Sequence, residues 1–159
     1  MNDTTIYKQR VLSKIIENAE IEYSNQLKIV KEMVNTINES PTAMQSHSDQ
    51  SRFLNSQVAD SIDSKINALL LHINNAKNYR FTKQGTLATI GSLVELKVNN
   101  KENRNYMILP FLGGYECEMD GKSIYVISPK APLALSIVNK TKESKFSFRG
   151  SEYIIEEII

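Results

Sequence analysis

The chain has 159 residues, of which 41% are hydrophobic and 23% charged, and its formal net charge is +1. These values indicate a folded protein of one ordinary or two small domains and exclude a largely disordered chain. Residues 1–79 carry eight basic and nine acidic residues, and residues 80–159 carry eleven and nine. Neither half is therefore basic enough to bind duplex nucleic acid through phosphate neutralisation.

The apolar runs are too short to cross a bilayer, and the opening residues "MNDTTIYKQR" contain no apolar signal segment. We therefore expect a cytoplasmic protein without a membrane partner. The single cysteine, Cys117, excludes an internal disulfide and a cysteine-rich zinc site. Because Glu116 and Glu118 flank it and would not lower the pKa of its thiol, we predict a solvated or half-buried strand residue rather than a nucleophile.

Two segments with helical spacing of apolar residues fill the first half of the chain. When positions are taken alternately four and three residues apart, seven of the eight positions between 12 and 37 are apolar. The same spacing gives six apolar positions of seven between 55 and 76. The seam positions are Leu12, Ile16, Ala19, Tyr23, Gln26, Val30, Met33 and Ile37, then Asn55, Ala59, Ile62, Ile66, Leu69, Ile73 and Ala76. Apolar residues beside the seams widen both stripes and help the helices to pack on each other, namely Val11, Ile15, Leu27, Val34, Val58 and Leu70.

The connection between the segments, residues 39–48, is short and contains Pro41. It favours an antiparallel hairpin, although pairing between two chains of a homodimer is the alternative. A helix of about 30 residues is roughly 45 Å long, so the hairpin would project from a small domain. We expect a coiled-coil hairpin over 1–79 with its tip at about 39–52, and a monomeric protein.

The pattern changes to strand-like alternation after Arg80, as in "LVELKV" and "KFSF". Turn signals follow at "NNKEN", "GG", "DG" and "RG", and Asp120-Gly121 gives the clearest hairpin because both residues tolerate positive φ. One short helix is predicted in "SPKAPLALSIV", with Ser128 near its cap, Pro132 in its first turn, and a buried side formed by Leu133, Leu135 and Ile137 or Val138. The sequence thus predicts an antiparallel sheet of four to six strands with one short helix for residues 80–159. The whole chain is predicted to belong to the α+β class.

The order of several short motifs resembles the Gre family of bacterial transcription elongation factors (GreA/GreB). They are "IGSLVELKV", "ISPKAPLALSIV" and "FSFRGSEYIIEEI" in the second half and "KINALLLHINNAKN" at the end of the second helix. The resemblance implies an FKBP-like fold for residues 80–159. It also implies a protein that binds core RNA polymerase through this domain, inserts the coiled coil into the secondary channel, and meets RNA and DNA only within the elongation complex.

In the Gre family two acidic tip residues help to hold a catalytic magnesium ion in the polymerase, which then cleaves backtracked RNA. An alignment anchored at "KINALLLHINNAKN" places Gln45, Ser46, His47 and Ser48 against the "DLKE" part of the family tip. None of the four is a carboxylate. The comparison therefore implies a tip without the acidic pair, no cofactor except Mg²⁺ of the polymerase, and at most stimulation of the polymerase's own cleavage rather than an enzyme.

Several candidate site residues have two interpretations. Asp49 is either a lone tip acid or a cap or first-turn acid of the second helix. His47 and Arg52 are tip contacts or solvated side chains. His72 has no neighbouring ligands and is interpreted as a residue flanking the seam. Ser128, Pro129 and Pro132 form the polymerase-docking surface that the resemblance implies, or they only turn the chain into the short helix.

Three functions remain open at this point. The first is a regulator that occupies the secondary channel without efficient transcript cleavage. The second is a true cleavage factor that uses Asp49 with Glu39 or with a polymerase carboxylate. The third is a peptide-binding or prolyl-isomerase-like module, which the FKBP-like fold alone suggests, although fold does not carry chemistry and the aromatic residues of this half are scattered in the sequence.

Overall fold

The computed structural model describes residues 3–39, 45–82 and 85–159, and in the two long helices it describes the side chains of residues 3–32, 35, 58 and 61–78. The helices are α1 (Asp3–Glu39), α2 (Gln45–Asn78) and α3 (Pro132–Ile137). The strands are β1 (Leu93–Val98), β2 (Glu102–Ile108), β3 (Glu116–Met119), β4 (Lys122–Ile127), β5 (Lys145–Phe148) and β6 (Ser151–Ile158).

The two long helices have the predicted period and pack on each other. The seam residues that are buried among those described are Leu12, Ile16 and Ala19 of α1 and Ile66, Leu69, Ile73 and Ala76 of α2. Val11 and Ile15, beside the first seam, are also fully buried. Val58 and Leu70 are exposed, contrary to expectation. The difference arises because the sheet covers α1 through β3 and so widens the buried stripe of that helix.

The six strands form one sheet in the order β3-β4-β2-β1-β6-β5. Four of its pairings are antiparallel, as predicted. The pairing of β2 with β4 is parallel, which corrects the expectation of a purely antiparallel sheet. The segment between β2 and β3 carries the chain across, so that the β3–β4 hairpin attaches to β2 through its second strand. A sequence-local pattern cannot reveal such a crossover.

Three hairpins turn through consecutive residues with positive φ, the backbone conformation of type I′ turns. Asp120 (φ 52°) and Gly121 (φ 75°) confirm the clearest turn predicted from the sequence. The other two pairs are Asn99 with Asn100 and Arg149 with Gly150. Asparagine, aspartate and glycine reach this region at low cost, so the Asn99-Asn100 and Asp120-Gly121 turns follow from local chemistry, whereas in the third turn only Gly150 does.

Helix α3 has Pro132 in its first turn as predicted, but its N-cap is Ala131 and not Ser128. Ala134 and Ile137 face the core, whereas Leu135 is 66% exposed, so its predicted burial is wrong. Leu133 and Leu135 cannot share one face of the helix, because residues two apart point to different sides of a helix.

The sheet has a hydrophobic core on each face. One core joins the sheet to α1 and α2, and the other lies under α3 and the β5–β6 hairpin. Cys117 belongs to the first core and is 5% exposed, which corrects the prediction of a solvated or half-buried thiol. Burial raises the pKa of the Cys117 thiol, so the expectation that it is not a nucleophile gains a physical reason.

Candidate functional site

The root of the helical hairpin is built into the core of the sheet. Buried residues of α1 and α2 share one hydrophobic cluster with sheet residues such as Met107, Ile124 and Val126. Among the described residues of α1, Tyr23 is the last that packs against this cluster. The boundary predicted near residue 79 therefore separates two patterns of sequence, while the packing crosses it.

A buried lysine in the second turn of α1 contacts the segment that leads into β1. Lys8 is 2% exposed, and its Nζ donates a hydrogen bond to the carbonyl oxygen of Gly91 at 3.2 Å. The same Nζ lies 5.1 Å from the ring centroid of Phe81, a cation–π distance. Burial lowers the pKa of Lys8. Gly91 has φ +88°, and a Cβ there would lie 2.6 Å from the Tyr79 hydroxyl oxygen, so this close approach requires glycine.

Two further contacts continue the attachment along α1. Asn18 Nδ2 donates to the carbonyl oxygen of Glu116 at 2.9 Å. The Tyr115 hydroxyl donates to Glu22 Oε2 at 2.6 Å. Burial and this hydrogen bond to a carboxylate raise the pKa of Tyr115. Together with Lys8 these contacts hold about four helical turns of α1 on the sheet, which sets the direction of the hairpin.

The helices continue well beyond this root. Lys77 Nζ and Glu20 Oε1 form an ion pair between α2 and α1 at 2.6 Å, near the end of the attached part. From Tyr23 to the last residue of α1, Glu39, the helix runs for roughly 24 Å. The projecting hairpin expected from the sequence stays a prediction for this outer part.

The predicted tip residues fall at the start of α2. Helix α2 begins at Gln45, so Gln45, Ser46, His47, Ser48, Asp49 and Arg52 all have helical backbone. Asp49 lies one turn after the first residue of the helix, so the assigned first turn contains no acidic residue. The side chains of these residues and of Glu39 lie outside the described part of the structure, so their role as tip contacts stays a prediction.

The predicted docking residues lie together where β4 leads into α3. Ser128 Oγ accepts a hydrogen bond from the Lys130 amide at 3.3 Å, and the Ser128 carbonyl accepts one from Ala131 at 2.9 Å. Pro129 is half-buried and Pro132 is exposed. Leu135 extends this surface with an exposed apolar side chain. The hydrogen bonds of Ser128 account for the turn, and the exposed Pro132 lies beside it.

A polar cleft of about 860 Å³ opens where β2 and β4 begin, and the exposed Tyr125 lies on its wall. Glu95 in this cleft accepts hydrogen bonds from Lys122 Nζ at 2.8 Å and from Asn103 Nδ2 at 2.6 Å. The bond from Lys122 contributes most to the lowered pKa of Glu95. Arg104 in the same cleft pairs with Glu102 at 2.6 Å, so these charged groups of the cleft pair with one another.

The described residues contain no group of His, Cys, Asp and Glu side chains that could hold a metal ion. Within the same residues, no helix is long and apolar enough to cross a membrane. His72 is exposed on α2, beside the seam as predicted.

The sequence did not single out Lys8, Asn18 or Tyr115. A signal for Lys8 was present, because one more step of four residues back from Leu12 along the seam reaches it. A lysine at a seam position usually lies at the exposed edge of the apolar stripe. Lys8 is buried because the sheet domain covers this part of α1. Asn18 and Tyr115 carry no such local signal.

No protein-family model and no curated protein matches the sequence. Among solved structures, a structure titled as that of the transcription factor Gfh1 is 14% identical, covers 91% of this chain and 93% of its own, and has a TM-score of 0.37. The GreA factor homolog 1 (Gfh1) protein of Thermus thermophilus is 16% identical, with 91% and 94% covered and a TM-score of 0.36. Gfh1 of Thermus aquaticus is 14% identical, with 89% and 92% covered and a TM-score of 0.35. Identities this low do not carry a function from one chain to another.

Proposed function

We propose that this protein is a Gre-like regulator that binds core RNA polymerase and reaches into its secondary channel with the helical hairpin. The motif order in the sequence suggests this partner. The observation that carries the proposal is the attachment of α1, in which Lys8, Asn18 and Glu22 are held by the sheet domain. An arm that must deliver its far end into a narrow pore needs a root that keeps its direction.

The globular domain would provide the docking surface, at Ser128, Pro129 and Pro132. Pro132 is exposed and lies in the first turn of α3, so a partner can contact it without unfolding the helix. The proposed complex contains one copy of this chain. The packing of α1 on α2 within one chain supports this, because it covers the seam residues near the sheet without a second copy.

The proposed effect on transcription does not include efficient RNA cleavage. Residues 45–48 contain no carboxylate, and Asp49 alone is a weak ligand set for Mg²⁺, which prefers several oxygen ligands in octahedral geometry. The chain itself needs no cofactor under this proposal, since any magnesium ion belongs to the polymerase.

The first experiment measures binding to purified core RNA polymerase. We compare the full chain with a variant in which residues 31–37 and 56–62 are deleted, because removal of seven residues from each helix keeps both seams in phase. We expect the full chain to bind and the shortened hairpin to bind more weakly and to lose its effect on stalled complexes. A full chain that neither binds polymerase nor alters stalled complexes would overturn the proposal.

The second experiment concerns the tip. Backtracked complexes with Mg²⁺ should show no added cleavage with this protein, and Asp49→Asn should change nothing. A double variant Gln45→Asp with Ser48→Glu restores the acidic pair of the family pattern and should gain cleavage. If the unmodified protein cleaves and Asp49→Asn removes that activity, the cleavage-factor hypothesis replaces this one.

A further inference from the structure

The two edges of the sheet differ in how they are covered. In an antiparallel edge strand every second residue directs its N–H and C=O groups away from the sheet. On β3 one of these outward carbonyls, that of Glu116, receives the hydrogen bond from Asn18 of α1. Arg10 of α1 also contacts Met119 at the end of β3. Helix α1 therefore covers this edge.

The opposite edge, β5, has an open backbone. Ile155 donates to the Ser144 carbonyl, and by alternation Phe146 with Tyr153 and Phe148 with Ser151 are the hydrogen-bonded pairs of the β5–β6 ladder. The N–H and C=O groups of Lys145 and Ser147 consequently point away from β6. No hydrogen bond between described residues uses these four groups. They form a template for one added strand.

The charged residues around β5 favour an acidic added strand over a basic one. Residues 139–150 contain four basic residues, Lys140, Lys142, Lys145 and Arg149, and one acidic residue, Glu143. Glu152 of β6, opposite Ser147, adds a second acidic residue on the face of Lys145, so basic residues still outnumber acidic ones by four to two. Lys142, Lys145 and Arg149 are exposed. Two copies of this edge would bring like charges together, which disfavours pairing between two copies of the chain. An extended acidic segment meets opposite charges instead.

The aromatic residues of β5 favour a peptide over single-stranded RNA. Phe146 stacks on Tyr153, with ring centroids 5.2 Å apart and an interplanar angle of 10°, and Phe148 meets the same tyrosine edge-on. Both phenylalanines are half-buried against the core under α3. One face of Phe146 is thus occupied by Tyr153, and the Phe148 ring lies under the Arg149 guanidinium at 5.4 Å. Binding of single strands requires free aromatic faces on which bases can stack, so these contacts favour a peptide.

We propose that the β5 edge binds an extended acidic peptide segment by adding it as a further strand of the sheet. Acidic side chains of the segment lie beside Lys145, on the face where a groove of about 230 Å³ is floored by Ile154. Its alternate, apolar side chains lie on the other face, beside Phe146 and Phe148. This site is separate from the helical hairpin, so it stands or falls independently of polymerase binding.

The test uses the full chain and a fluorescent peptide of about eight residues in which Glu and Val alternate. Fluorescence anisotropy measures the affinity, with a Lys–Val peptide and oligouridine as competing probes. Lys145→Glu should weaken binding about tenfold, because it replaces an attractive cross-strand pair with a repulsive one. Lys28→Glu makes the same charge change on the exposed surface of α1 and should leave the affinity within about twofold.

Ser147→Pro tests the backbone role directly. It removes an outward N–H while leaving the hydrogen-bonded pairs with β6 intact, so it should abolish binding. Protection of the β6 amides from hydrogen exchange shows whether Ser147→Pro retains the sheet. If the sheet is lost in this variant, Lys145→Glu alone decides the outcome. The proposal is overturned if the Glu–Val peptide does not bind, if the Lys–Val peptide or oligouridine binds as well, or if Lys28→Glu weakens binding as much as Lys145→Glu.

Discussion

Replacement of Leu12 by alanine tests whether the helical hairpin and the sheet unfold as one unit. Leu12 is fully buried in the cluster that joins α1 and α2 to Met107 and Ile124 of the sheet. Leucine-to-alanine changes at such positions cost about 2–5 kcal/mol, from lost burial and the cavity left behind. We expect the free energy of unfolding to fall by about 3 kcal/mol, a large part of the roughly 5–15 kcal/mol that stabilises a typical domain.

The assay is urea denaturation followed by two signals. Far-UV circular dichroism reports mainly the long helices, and hydrogen exchange of the β1 amides reports the sheet. Both should shift to the same lower midpoint in Leu12→Ala. Ile29→Ala is the matched control on the same helix, because Ile29 is 51% exposed and its truncation should cost less than about 0.5 kcal/mol. The reasoning is refuted if the helical signal shifts while β1 keeps its protection.

Three further predictions concern the attachment of α1. Tyr115→Phe removes the hydrogen bond to Glu22 and should lower the free energy of unfolding by about 1 kcal/mol in denaturant titrations. Because the folded pKa of Tyr115 is raised above 10.0, the difference from the unmodified protein should be full at neutral pH and shrink as pH rises through about 10. Gly91→Ala should destabilise by more than about 1 kcal/mol in the same titrations, since its Cβ would meet the Tyr79 hydroxyl and its φ is positive. The folded pKa of Lys8 is lowered, so the unfolding free energy of the unmodified protein relative to Lys8→Met should rise from neutral pH toward about 10.5.

Each of these has a contradicting result. A pH-independent difference for Tyr115→Phe would show that neither burial nor the bond to Glu22 raises the pKa of the Tyr115 hydroxyl. An unchanged stability of Gly91→Ala would mean that Tyr79 does not approach this backbone. The titration of the tyrosines contributes equally to the unmodified protein and to Lys8→Met, so it cancels in the difference. A relative stability that falls with pH would therefore show that Lys8 is not held in a desolvated site.

The elements and turns of this protein could be predicted from short stretches of sequence. The apolar residues of α1 recur at helical spacing, and those of β1 and β5 alternate, so their periods report helix and strand. Asp120-Gly121 allows a type I′ turn by its own backbone preferences. The arrangement of these elements was less accessible, as the parallel pairing of β2 with β4 and the exposure of Leu135 show.

In the candidate site, the contacts that could not be predicted are those between residues far apart in the sequence. The polar tip and the docking prolines are visible as sequence, whereas Lys8 with Gly91 and Glu22 with Tyr115 are joined over 83 and 93 residues. The sequence by itself determined the local conformations, because period and turn chemistry act between near neighbours. Only the tertiary structure decided that the buried stripe of α1 extends to Lys8, which edge of the sheet stays open and how α1 is held on the sheet, because those depend on surfaces that meet after the chain has folded.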